Sequence, residues 1–63
     1  MDVSKVLDDV MDGLDVMYRA FVDYEFLMGE VGDVEARVRA EVIKEQIGRL
    51  KGMMLVKYKE ESE

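Results

Sequence analysis

Apolar residues recur along the first half of the chain at spacings that alternate between four and three. The members of this series are Val3, Leu7, Val10, Leu14, Met17, Phe21, Tyr24 and Met28. Because an α-helix turns once every 3.6 residues, such a series keeps one face of a helix apolar over roughly four heptads. Further apolar residues beside the series widen this face beyond what one neighbouring helix covers, which is typical of a bundle core.

The second half of the chain repeats this pattern. Its members are Ala36, Ala40, Ile43, Ile47, Leu50, Met54 and Tyr58. Asp33 precedes the series and suits the N-cap of a helix, because its carboxylate can accept hydrogen bonds from the free N–H groups of the first turn. Glu35 lies four residues before Arg39, a spacing that supports a helix through an ion pair. The pattern therefore predicts a second helix.

Residues 29–33 form the one turn-like stretch of the sequence, and no proline interrupts the segments on either side. We therefore predict an all-α protein with helices over about residues 3–28 and 33–58. Such a short link forces the helices into an antiparallel hairpin, which forms a single domain over residues 1–63. The acidic tail at residues 60–63 opposes the helix dipole and is expected to fray.

The hairpin is predicted to pair with a second copy into a four-helix bundle. For a chain of this length the free energy of apolar burial and the cost of conformational entropy nearly cancel, so a single copy is marginal. Without cysteine the chain has no disulfide to compensate. The predicted oligomer core takes residues from both series: Leu7, Val10, Leu14, Met17, Phe21, Ala40, Ile43, Ile47, Leu50 and Met54.

A second set of residues is a candidate interface for a further subunit or for a different protein. Around residues 21–28 the first helix is apolar on nearly every side, and a helix of this kind is normally buried on every side. In the second helix, two glycines share a face with valines and would let another helix approach closely, unless they are simply tolerated weak points. The candidate residues are Tyr18, Val22, Phe26, Val34, Val38, Gly48 and Gly52.

Glu25 points into the apolar face of the first helix, between Phe21 and Met28. A carboxylate in that position needs a cation, and its own helix supplies none nearby. The register across the turn brings Arg39 within reach. We therefore predict a partly buried ion pair between Glu25 and Arg39, in the same chain or across the dimer, that selects one bundle arrangement.

Charge divides the chain into an acidic and a balanced half. Residues 1–32 carry eight acids and two bases, whereas residues 33–63 carry seven of each, for a net charge of −6. Arg37, Lys44 and Lys51 recur every seven residues and form a basic line on the second helix. The alternative function is therefore a hairpin dimer that binds RNA or DNA through this line. The negative net charge makes nucleic acid an unfavourable partner, and the line can instead face the aspartates of a neighbouring first helix.

The composition excludes most catalytic chemistry. With no histidine and no cysteine, the chain lacks imidazole acid–base groups, thiol nucleophiles and the usual zinc ligands. Asp8 and Asp12 lie one turn apart, but one helix face does not surround a cation. We expect no enzymatic activity, no cofactor and no metal. The chain has no apolar run of membrane-spanning length and no basic leader, so we expect a cytoplasmic protein.

These features predict a small non-enzymatic protein–protein interaction module. The expected partners are a second copy of the chain, in a homodimer, and an unidentified protein. Small acidic accessory, adaptor and inhibitor proteins of phages, plasmids and archaea share this size and charge, which is an analogy of profile alone.

Overall fold

The computed structural model describes residues 2–62, and the side chains of residues 2–61, as two long helices. Helix α1 spans Val3–Glu30 and helix α2 spans Val34–Ser62. They pack against each other as an elongated hairpin of 47 × 15 × 12 Å, so the prediction of an all-α hairpin is confirmed. Residues 31–33 make the reversal between the helices.

Aspartates cap the start of both helices. The Asp2 carboxylate accepts a hydrogen bond from the Ser4 N–H at 3.0 Å, and the Asp33 carboxylate accepts one from the Ala36 N–H at 3.0 Å. Each cap satisfies an N–H group that has no partner within its own helix. The predicted N-cap at Asp33 is therefore confirmed.

The reversal between the helices depends on Gly32, whose φ of +79° lies in the left-handed region that favours glycine. The Gly32 N–H donates to the Gly29 carbonyl at 3.3 Å, and the Asp33 N–H donates to the Met28 carbonyl at 2.9 Å. This is the Schellman arrangement that closes many helix C-termini. Because Asp33 also caps α2, one residue ends the first helix and begins the second, and the chain reverses without a flexible linker.

Helix α2 continues to Ser62, four residues beyond the predicted end at residue 58. Lys57 accounts for part of this extension, because its Nζ lies 3.1 Å from Glu61 Oε1 and 3.9 Å from Glu60 Oε2. Hydrogen bonding and charge attraction from Glu61 raise the pKa of Lys57 above its ordinary value. Residues 60–62 of the predicted tail are thus helical, and residue 63 lies outside the described residues.

The core of the hairpin is a single narrow seam between the helices. Among the described residues, the buried apolar side chains are Leu7, Ala40 and Ile47. The apolar residues that flank them are half-buried, and they are Met11, Leu14, Phe21, Met28, Ala36, Ile43, Met54 and Tyr58. A seam one side chain deep leaves the two broad faces of the hairpin in solvent.

Three residues of the predicted oligomer core lie outside this seam. Val10, Met17 and Leu50 are exposed in the hairpin, whereas Met11 and Lys51 are half-buried at the contact between the helices. Placing Val10, Met17 and Leu50 in the seam of the hairpin was wrong. The contact between the helices instead runs along the line of α1 that contains Leu7, Met11 and Leu14, and on α2 it includes Lys51. The role of Val10, Met17 and Leu50 in an oligomer core depends on a second chain and stays a prediction.

Candidate functional site

A continuous apolar stripe runs along α1 directly beside the seam. The spacings between its residues alternate between three and four. Each of its residues comes one position before a residue on the side of α1 that faces α2. We call it the outer stripe; it consists of Val3, Val6, Val10, Gly13, Met17, Ala20, Tyr24 and Leu27. All of its members are exposed. Helix α1 therefore carries two adjacent heptad stripes, of which α2 covers only one.

Helix α2 adds apolar residues to the same side of the hairpin. A groove of about 320 Å³ near the turn joins Tyr24 of the outer stripe to Arg39 and Ile43 of α2. Helical periodicity carries this side of α2 on to Leu50 and Met53, which are both exposed. We call the outer stripe together with Leu50 and Met53 the open face.

The surface area of the chain is large for its mass. A compact monomer of 7.3 kDa exposes roughly 4,200 Å² by surface scaling, whereas this chain exposes 4951 Å², about 800 Å² more. This excess follows from the elongated shape of a hairpin that measures 47 × 15 × 12 Å.

The opposite side of the hairpin is held by ion pairs between the helices. Lys51 pairs with Asp15, and Lys44 Nζ lies 2.5 Å from Glu25 Oε2. Lys44 also lies over the ring of Tyr18, 5.8 Å from its centroid, within range of a cation–π contact. Hydrogen bonding and charge attraction from Glu25 raise the pKa of Lys44 above its ordinary value, against a smaller opposing effect of partial burial. Beyond the Lys44 contact, the buried Oε2 of Glu25 has no hydrogen-bond partner.

The predicted ion pair between Glu25 and Arg39 does not form within the chain. Arg39 pairs with Glu35 on its own helix at 2.5 Å, as the four-residue spacing predicted, and Lys44 takes the place beside Glu25. Arg39 and Lys44 are five residues apart, which places them on opposite sides of α2. The seven-residue recurrence of Lys44 and Lys51 opposite an acidic α1 was the signal for the observed pairing.

The predicted basic line is largely neutralised by α1. Lys44 and Lys51 are both engaged by carboxylates, and Arg37 lies over Gly29 beside the turn. Phosphate binding needs surplus positive charge, so two paired lysines are poorly suited to it.

The candidate second-interface residues fall on two separate surfaces. Tyr18, Val22 and Phe26 lie on the ion-paired side, where a groove of about 460 Å³ opens beside the turn. We call it the turn groove; it is lined by Val22, Glu25, Phe26, Gly29, Glu30, Arg37 and Lys44. The remaining candidates are on the back of α2, exposed to solvent, and they are Val34, Val38, Gly48 and Gly52. Open space surrounds both of these glycines.

The described part of the chain contains neither a group of three acids placed to hold a metal ion nor a helix that could cross a membrane. Protein-family models, curated proteins and solved structures show no match to the chain. The functional proposal therefore rests on the surfaces of the chain itself.

The ion pair between Glu25 and Lys44 should contribute more to stability than the one between Asp15 and Lys51. Its side chains are 23 % and 20 % exposed, against 43 % and 39 % for the second pair, and exposed pairs are weak. In denaturant titrations, Glu25→Gln and Lys44→Met should each destabilise the chain, and the double variant should lose clearly less than the sum. For the matched variants Asp15→Asn and Lys51→Met, the loss of stability in the double variant should nearly equal the sum of the two single losses.

The pH dependence of this pair has a definite sign. Because the pKa of Lys44 is raised in the folded chain, its contribution is complete below the ordinary value of 10.5 and is lost as the pH rises through the raised value. The non-additivity measured at pH 7 should therefore shrink in strongly alkaline buffer. Additive effects at pH 7 would contradict the assignment.

Proposed function

We propose that this chain is a non-enzymatic protein–protein interaction module that acts as a homodimeric four-helix bundle. The observation that supports it is the outer stripe, an unbroken apolar heptad pattern along the whole of α1 that α2 leaves exposed. A stripe of this length on a marginal two-helix hairpin is the feature by which bundles recruit further helices. In this proposal the chain is an acidic cytoplasmic accessory, adaptor or inhibitor protein.

Charge favours a second copy as the occupant of the open face. Each chain carries a net charge of −6, so two copies meet with least repulsion through an uncharged surface. The outer stripe contains no charged residue between Val3 and Leu27, and the acids Asp9 and Asp23 border it at its edge, where solvent screens their repulsion. A twofold dimer uses the same patch on both subunits, so the uncharged outer stripe of one copy would meet the uncharged outer stripe of the other.

The energetics of one chain also favour pairing. Only three apolar side chains of the described residues are buried, which is a small core for 61 described residues. Covering the open face would give each hairpin a second apolar layer.

The dimer is tested by mass and by the dependence of unfolding on concentration. Sedimentation equilibrium at micromolar concentration should give twice the chain mass of 7.3 kDa. Thermal unfolding of an obligate dimer should shift upward by roughly 5 °C for each tenfold increase in concentration, since dissociation accompanies unfolding. A folded 7.3 kDa species with a constant midpoint across this range would overturn the proposal.

A further inference from the structure

The turn groove lies on the side of the hairpin opposite the open face, so it remains accessible when two copies pair through that face. At its rim Phe26 is 71 % exposed, the largest exposed fraction among the large apolar side chains of the described residues. Val22, one helical turn earlier, is also exposed and lines the same groove. Aromatic side chains, phenylalanine among them, are enriched in protein interfaces relative to the rest of the surface.

The floor of the turn groove is held in place before any partner arrives. Lys44 and Glu25 form their ion pair at its inner end, and both side chains line it. Gly29 contributes no side chain, which keeps the floor low where the Arg37 side chain crosses it. A groove already shaped in the free chain reduces the entropy cost of binding.

Free charge around Phe26 is mainly negative on the α1 side. Asp23 and Glu30 lie three residues before and four residues after Phe26, on the same flank of α1, and neither forms an ion pair within the described residues. On the same flank Arg19, which also forms no ion pair within the described residues, offsets one acid, and Asp12 restores the acidic excess further towards the open end of the hairpin. A second copy of this acidic chain would be repelled at this rim, whereas a basic partner would be attracted.

We infer that the turn groove is the docking site for a basic amphipathic helix of another protein. An apolar side chain of that helix seats against Phe26 and Val22, and its lysines or arginines face Asp23 and Glu30. Arg37, on the opposite wall, is available to a carboxylate on the other edge of the helix. This deepens the proposed function by naming the chemistry of the partner; it rests on the chain being an interaction module, and it does not require the dimer.

The test uses the full chain labelled with ¹⁵N and a synthetic helical peptide of leucine and lysine in amphipathic order. Binding should move amide signals of residues 22–30 and of residue 37, and affinity should fall steeply with salt. A peptide of the same pattern with glutamate in place of lysine should bind at least tenfold more weakly. Polyuridylate should leave these signals unmoved, and shifts with it in place of the peptide would overturn the inference in favour of RNA.

Two variants and a control locate the contact. Phe26→Ala should weaken peptide binding at least tenfold, and Glu30→Gln should reduce the salt dependence. Val56→Ala removes an exposed apolar group, 60 % exposed, from the back of α2, outside both surfaces, and should have no effect. Equal loss from Val56→Ala, or shifts centred on the outer stripe, would overturn the inference.

The oligomeric state measured on the same samples separates the two proposals. A monomer that binds the peptide at the turn groove defeats the dimer and supports the docking site. A dimer that does not bind the peptide defeats the docking site alone.

Discussion

Val10→Lys should convert the proposed dimer into a monomer, whereas Val16→Lys should leave it intact. Val10 belongs to the outer stripe, and Val16 lies about 120° further around α1, outside the open face. A lysine at position 10 would bury an uncompensated charge on each side of the interface. We expect dimerisation to weaken at least a hundredfold, about 2.7 kcal/mol or more.

The pair is closely matched. Both substitutions remove a valine, add one positive charge and affect the same helix, and both side chains are exposed in the single chain, 41 % at Val10 and 66 % at Val16. The hairpin alone therefore tolerates either lysine, with stability changes of about 0.5 kcal/mol or less. Sedimentation measurements give the dimer affinity of each variant. Equal dimer affinities for the two variants would show that the outer stripe is not the interface.

Ile47→Ala should destabilise the chain by about 2 to 5 kcal/mol, as expected for truncating a buried aliphatic side chain. Ile47 is 3 % exposed, against 9 % for Leu7, and the third buried residue is only an alanine, so the seam has little else with which to fill the cavity. A hairpin with so small a core has few kcal/mol in reserve, and a large fraction of the variant should be unfolded at room temperature.

Val56→Ala is the control for this loss. Val56 is exposed on the same helix, and its truncation should change stability by about 0.5 kcal/mol or less, with a compensating gain in helix propensity. Urea titrations followed by circular dichroism measure both variants. Similar losses at the two positions would mean that the seam does not pass through Ile47.

The two helices and the reversal between them follow from local chemistry. The apolar periodicity, the lack of proline and the cap at Asp33 act over a few residues, and each was visible in the sequence. The ends of the helices were harder to predict from the sequence, because the extension of α2 to Ser62 depends on how Lys57 pairs with the acids around it. Helix termini are decided by balances of a few tenths of a kcal/mol.

The rotation of each helix about its own axis was decided only by tertiary structure. The predicted series on α1 ran along the boundary between the two stripes: Leu7 and Leu14 belong to the seam, while Val10 and Met17 belong to the outer stripe. Both stripes are apolar and have the same period, so periodicity cannot say which one faces α2.

What decides the rotation is a set of contacts between residues far apart in sequence. Leu7, Ala40 and Ile47 are the side chains that become buried between the helices. The pairs of Lys44 with Glu25 and of Lys51 with Asp15 lie on one side of this seam, and Arg39 lies on the other side. Local pattern was therefore sufficient for the hairpin and for the existence of a surplus apolar stripe. Which stripe stays open, and which cation neutralises Glu25, depends on how the two helices pack against each other and pair their charges, and no single helix contains that information.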